Sequence, residues 1–447
     1  MAEHMQADLG RGEDGILHSR STRRIVITGL GVLACNGIGK EDFWQACISG
    51  RSGIRHITRF DASPLSTQIA GEIAHFDPEA VDITREERLY LDRGTQFAIA
   101  AANLALQDAG LYAVLSEEER DHMGVYLGTA MASVEEGERI WLQFTGSGMH
   151  TPGYAMQDII PATLLMSYVP ASAIAIHHQL HGPCTVISTG CSAGADAIGQ
   201  AFWAIQEGRA DRMLAGGSDS AISYTGMNVF CVIRALSTRN EEPERASRPY
   251  DRDRDGFVMA EGAGVLLLEE REMALARGAH VYAELIAFTS NSNAYHMTAL
   301  PEDGAPLRQL LRQAMHEAQI TPEQLDYINS HGSSTSYNEA AETAAYKAVF
   351  GERAYGIPIS ATKSMIGHAQ GAASAIEAIV TALVLERQVL PPTINQEQVD
   401  PLCDLDYVPN VARQASVNVA LTHSSGFGGV NTALILTRPD WIDTHDV

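Results

Sequence analysis

At 447 residues the chain is long for one simple domain of roughly 100–200 residues, which predicts two or three units or one large duplicated one. Its 31 Lys plus Arg against 55 Asp plus Glu leave a formal charge of −24, which argues against nucleic acid and against an anionic membrane surface as partners, since both need a basic footprint. Six cysteines without a C-x-x-C pair argue against a disulfide framework and a structural zinc, and no apolar run nears the ~20 residues of a spanning helix, so the protein reads as soluble, cytoplasmic and metal-free.

The opening residues 1–23 carry no apolar core and read as a disordered, tag-like tail rather than a signal peptide. The first strand is "RIVITGLGVL" (24–33), by its β-branched run. Residues 29–34, "GLGVLA", match a dinucleotide fingerprint to the letter, but no second strand ending in an acidic residue follows about twenty positions on. A plain glycine turn is the better reading.

A long helix is predicted over 89–111, a strand over 122–131, and then a less regular stretch up to the strand "CTVISTG" (184–190). Helix 192–207 and strands 211–221 and 264–270 close this half. The chain then begins again with strand 283–290, helix 305–320, strand 325–332, helix 339–351, strand 357–364 and helix 371–388, and ends on strands 417–426 and 430–438. Both halves run β-α-β-α-β-α-β-β, although no letter-level repeat is visible. The alternation predicts mostly parallel sheets covered by helices, in a layered α/β sandwich of two related halves.

"STGCSAG" (188–194) sets two nucleophiles side by side. Around Ser192 it fits the G-x-S-x-G elbow of a hydrolase, which calls for a later acid and a single late histidine. Cys191 begins a helix rich in small residues, where unpaired N–H groups and the helix dipole favour a thiolate. A buried, inert cysteine is the equal alternative on position alone. Downstream, "INSHGSST" sets His331 just after a strand, and "ATKSMIGHAQGAAS" sets Lys363 and His368 on a strand-to-helix turn. Both histidines, with Cys191, fall at the carboxyl ends of strands, where sheets of this type bind ligands.

Together, the cysteine elbow, H-G-S-S-T, K-S-M-I-G-H-x-x-G-A-A and "GFGGVN" (426–431) resemble the β-ketoacyl-acyl carrier protein synthases, from about residue 23 to 438. Stretches 235–264, 294–298 and 403–413 agree. The resemblance implies a thiolase-like five-layer αβαβα fold of two duplicated halves, 24–270 with the nucleophile and 271–440 with the His and Lys residues. It implies a decarboxylating Claisen condensation of a Cys-bound acyl chain with malonyl-carrier, without metal or diffusible cofactor, the substrates riding on the carrier's phosphopantetheine. Cys191 would be the nucleophile, and His331 and His368 the donors to the enolate. Lys363 would be paired with Glu342 and orient His331. The amides of Cys191 and Phe427 would form the oxyanion hole, Phe427 between Gly426 and Gly428 a gate, and Ser333 and Thr335 would contact pantetheine.

"STGC" resembles the catalytic ketosynthase of type II polyketide synthases more than fatty-acid elongation enzymes, which remain the alternative. The implied partners are an acyl carrier protein and a second subunit, either a copy of the chain or a related chain-length factor. Such factors lack the cysteine, so a non-catalytic role is the weaker reading. A biosynthetic thiolase would need a second cysteine late in the chain, and Cys403 lies away from the glycine loop. Two positions depart from the family's usual N-S-F-G-F-G-G-T-N: His423 stands where Asn is common and Ser425 where Phe is common. The helix near residue 85, often a basic carrier-docking site, keeps Arg85, Arg88 and Arg93 but interrupts them with Glu86 and Glu87.

Overall fold

A computed structural model describes residues 23–150 and 166–444. Most of the tail expected over 1–23, and part of the less regular stretch, lie outside the described residues. Among the described residues the main sheet has eleven strands, a short one, Gly37–Ile38, paired with the first, and ten along its main path: β1 Ile25–Ala34, β2 Met123–Gly128, β3 Cys184–Ile187, β4 Arg212–Asp219, β5 Gly262–Glu270, β6 Ala283–Ser292, β7 Tyr327–Asn329, β8 Ile359–Ser360, β9 Val419–Ser425 and β10 Val430–Thr437. Six principal helices run between them: α1 Arg93–Asp108, α2 Val169–His178, α3 Ala193–Gln206, α4 Ala305–Ala318, α5 Asn338–Phe350 and α6 Ala373–Arg387.

The strand order makes the duplication explicit. The first half reads β1-β5-β4-β2-β3 and the second β6-β10-β9-β7-β8. Pairing sense repeats as well, with β1–β5 and β5–β4 antiparallel and β4–β2 and β2–β3 parallel. In the second half β6–β10 and β10–β9 are antiparallel, and β9–β7 and β7–β8 parallel. The halves join where Ile25–Ile27 of β1 pair with Ala283–Leu285 of β6. The expectation of mostly parallel sheets is corrected to an even mixture. In each half the last two strands follow one another with no covering α-helix of the layered kind between them, and only such a crossover returns the chain in a parallel sense.

Helices α3 and α6 pack against each other and against strands of both halves, which makes them the central layer. α1 and α2 cover the first half, and α4, with α5 packed on it, covers the second. The five layers are therefore αβαβα. Residues Ala373–Leu385 of α6 are buried all round, as a helix between two sheets must be. Small residues permit the crowding: a Cβ at Gly194 would lie 2.8 Å from both the Ala375 Cβ and the Gly371 carbonyl oxygen.

The glycines of "GLGVLA" are explained by packing, not by a ligand. A Cβ at Gly31 would come within 1.8 Å of the Ala101 carbonyl oxygen, and one at Gly29 within 2.2 Å of that of Ala105. They let α1 lie directly on β1. The helix expected over 89–111 is broken before Asp92, whose carboxylate caps α1 by accepting the Thr95 N–H. The less regular stretch contains a further helix, Val134–Thr145, besides α2.

Candidate active site

The carboxyl ends of β3, β7, β8 and β9 open onto one cavity of about 290 Å³, lined by Cys191, His331, His368, Ser333, Thr335 and Phe427 among others. Cys191 sits on a single 3₁₀ turn, Gly190–Ser192, between β3 and α3. Gly190 has φ +62°, and the Phe427 carbonyl lies 3.2 Å from where its Cβ would be, so glycine is needed to bring the elbow against the glycine loop.

Ser192, by contrast, is fully buried, and its Oγ donates to the carbonyls of Val430 at 3.0 Å and Ser424 at 3.3 Å. It faces no histidine in these contacts. Of the two neighbours, Cys191 is the one that lines the cavity. Burial pushes the Cys191 thiol up to about 11, opposed by Lys363 and by the N–H groups of Phe427 and of Cys191 itself. The thiol therefore rests protonated where the helix terminus alone predicts a thiolate, because desolvation outweighs those donors. Both amides favour negative charge on the Cys191 sulfur.

Both histidines are held neutral. Burial and then Lys363 carry His331 well below the ordinary histidine value, and the same two causes act on His368. Their tautomers follow from their neighbours. The Gln370 backbone N–H donates to His368 Nδ1 at 3.1 Å. Lys363 Nζ, which can only donate, lies 3.4 Å from His331 Nδ1, with Ser424 Oγ at 3.2 Å. Each ring thus carries its proton on Nε2, the nitrogen left for the cavity. With ring centroids 5.4 Å apart, the pair offers two neutral N–H donors to one developing anion.

Lys363 is 1% exposed, and its Nζ donates to the His331 carbonyl at 2.6 Å and to the Glu377 carboxylate. The expected pairing with Glu342 is corrected to Glu377 of α6. Glu342 instead accepts the Gly332 N–H at 3.1 Å and the Tyr250 hydroxyl. Burial raises both carboxyls, and Lys363 pulls each back down. Ser333 and Thr335 stand at the cavity wall with their hydroxyls 3.0 Å apart. Phe427 is 37% exposed and stacks on Phe230 at 6.2 Å, with Gly428 and Gly429 after it at φ +83° and +81°.

Sequence reasoning missed three supports of the site. Glu377 is a lone acid in an otherwise apolar, fully buried helical run, which is a legible signal. Asp219, at the end of β4, takes the N–H of Gly371 at 2.6 Å and those of Ala130 and Met131, and burial pushes it up to about 6. It ties the first half to the turn after His368. Ser424 bridges Cys191 and His331, its Oγ donating to the Cys191 carbonyl at 3.1 Å. Neither of the last two has a sequence signal. Arg93, expected in a docking cluster, is committed to Glu261, and Arg88 pairs with Glu79. Cys403 lies in the second-half core, away from the cavity.

A duplicated αβαβα sandwich with a cavity-lining cysteine at the elbow before a central helix is the thiolase-like fold. Residues 22–274 match the family described as "Beta-ketoacyl synthase, N-terminal domain" and 282–397 the one described as "Beta-ketoacyl synthase, C-terminal domain". The tetracenomycin polyketide synthase ketoacyl synthase alpha subunit of Streptomyces glaucescens is 43% identical over 93% of this chain and 97% of its own. The 3-oxoacyl-(acyl-carrier-protein) synthase 2 of Synechocystis sp. is 41% identical over 93% and 98%. Among solved structures, a type II polyketide ketosynthase in complex with its acyl-carrier protein and bound to the hexaketide superposes with TM-score 0.86 at 39% identity, over 94% of this chain and 100% of that one. The ishigamide ketosynthase/chain length factor gives 0.83 at 33%, over 93% and 99%. The chain belongs to the β-ketoacyl synthase family and is an acyl-transferring condensing enzyme.

Proposed function

We propose that the chain is the catalytic ketosynthase of a type II polyketide system, with Cys191, His331 and His368 as the reacting site and 24–270 and 271–440 as its two halves. The observation that supports the reading is one cavity lined together by Cys191, His331 and His368, with the Nδ1 atom of each ring facing a donor. The Cys191 thiol attacks the acyl thioester on the carrier, the oxyanion rests on the Cys191 and Phe427 amides, and the pantetheine thiol leaves with the proton. Malonyl-carrier then enters past Phe427 with its pantetheine against Ser333 and Thr335. Its bond to the carboxylate breaks, CO₂ departs, and the electron pair becomes an enolate held by His331 and His368. The enolate carbon attacks the Cys191 thioester, and the expelled thiolate takes a proton from water, leaving a β-ketoacyl-carrier.

No diffusible cofactor enters this scheme, and the substrates arrive on a cytoplasmic acyl carrier protein. Among the described residues β3 is a terminal strand of the sheet, as β8 is at the other end, Cys184 on β3 is exposed, and a related subunit extending the β3 edge is the assembly we favour. Fatty-acid elongation is the alternative, supported by the 41% identity to the Synechocystis enzyme. The test is intact mass after mixing with a short acyl-carrier protein, for wild type and Cys191→Ala. An acyl-sized gain on wild type alone, released by malonyl-carrier as a longer product, supports condensation, and repeated extension without reduction supports the polyketide branch. No gain, even with a co-purified partner subunit, refutes the proposal.

A further inference from the structure

Behind the cavity lies a buried chain of polar groups that the reaction scheme leaves unused. His423 on β9 is 1% exposed, and its Nε2 lies 2.5 Å from the Tyr346 hydroxyl. The same Nε2 lies 4.0 Å from Glu342 Oε1, and Tyr250 donates to Glu342 Oε2 at 2.5 Å. Glu342 Oε1 accepts the Gly332 N–H at 3.1 Å. His423 Nδ1 is buried with no partner. Burying a bare nitrogen costs less than burying an orphan N–H, so the proton sits on Nε2. The His423 N–H then lies between the Tyr346 hydroxyl and Glu342 Oε1, while Tyr250 donates to Oε2.

The chain ends on a particular peptide unit. Lys363 Nζ donates to the His331 carbonyl at 2.6 Å, while Glu342 takes the Gly332 N–H of the same planar group. The peptide after His331 is therefore gripped at both ends. Gly332, at φ +38°, has no room to relax, since a Cβ there would lie 2.4 Å from the Ala361 Cβ. Tyr250 is fixed in its turn by stacking on Tyr407 at 3.7 Å.

We propose that His423, held by Tyr346 against Glu342, is a positioning residue that fixes Glu342 on the His331–Gly332 peptide and so aims the His331 ring at the enolate. The inference rests on His331 being an enolate donor, as set out above. It has a readout that a merely structural role does not share, because acylation of Cys191 does not use His331.

The experiment compares His423→Leu, His423→Gln and Tyr346→Phe with His331→Ala, scoring Cys191 acylation by intact mass and malonyl-carrier decarboxylation by kcat and KM. His423→Leu and Tyr346→Phe should acylate at the wild-type rate, keep KM within about twofold, and lose about 10- to 100-fold in decarboxylation kcat, the usual cost of a misplaced group. His423→Gln, whose amide can donate to Tyr346, should recover part of it. Tyr346→Phe removes a single oxygen, so it carries the test should His423→Leu not fold. Full decarboxylation in these variants while His331→Ala loses it overturns this positioning role. Acylation and decarboxylation falling together overturn it as well. Decarboxylation intact in His331→Ala would instead remove the reading of the site on which the inference stands.

Discussion

Replacing Lys363 by methionine tests the corrected ion pair. The substitution leaves the Glu377 carboxylate buried without its cation, and breaking a buried pair from one side costs about 3–5 kcal/mol. Protonation caps that loss. A glutamate that ionises near 4.3 in the unfolded chain must be held protonated in the fold at pH 7.5, about 3.2 units at about 1.36 kcal/mol each, or about 4 kcal/mol. Burial raises the Glu377 value in the folded state, so the penalty grows as pH rises above the unfolded value and shrinks toward acid. At pH 5.5 the cap is only about 1.6 kcal/mol. Urea unfolding of Lys363→Met should therefore show a deficit near 4 kcal/mol at pH 7.5 that largely closes by pH 5.5. Lys363→Met/Glu377→Gln should recover most of the stability at pH 7.5. It should not recover malonyl decarboxylation, because His331 Nδ1 loses the donor that fixes its tautomer. Recovery with Glu342→Gln in place of Glu377→Gln, or a deficit independent of pH, would refute the pairing.

Three further outcomes follow from single features of the structure. Gly31→Ala drives a methyl to within 1.8 Å of the Ala101 carbonyl and should destabilise the fold by at least the about 1–3 kcal/mol of an overpacked core; an unchanged Tm contradicts the packing argument. Because burial keeps His331 and His368 neutral well below pH 6.5, decarboxylation should hold level from pH 8 down to 5.5, and an acid limb near 6.5 contradicts the assignment of both rings as neutral donors. Iodoacetamide should alkylate Cys191 about tenfold faster per pH unit between pH 7 and 9, since its thiol is pushed up to about 11; a plateau in that range would mean a resting thiolate.

What the sequence made legible was whatever is written locally. The element order, the elbow around Cys191 and the glycine-flanked histidines are features of short windows, and the structure gathers them on one cavity. Pairing sense and partner choice are not local. Glu342 lies 21 residues before Lys363 and Glu377 lies 14 after it, and only the packing of α6 between two sheets decides which carboxylate meets the ammonium. The "GLGVLA" glycines show the same limit, because a turn, a phosphate cradle and a helix contact all ask for glycine. The helix contact is recognised only once Ala101 and Ala105 lie opposite.

The duplication also explains why the site is asymmetric. The turn Gly190–Ser192 before α3 has its counterpart in Gln370–Ala372 before α6, so the position matching Cys191 in the second half is Gly371. A side chain is excluded there: a Cβ would lie 2.6 Å from the Ala130 nitrogen and 2.7 Å from Asp219 Oδ2. The first elbow points a thiol into the cavity, while the second turns its backbone N–H to Asp219 and leaves the reacting group to His368, three residues earlier. Two copies of one turn thus supply unlike groups to the same cavity. On the proposed roles the nucleophile comes from one half and both neutral donors from the other, so neither half would hold a reacting site alone.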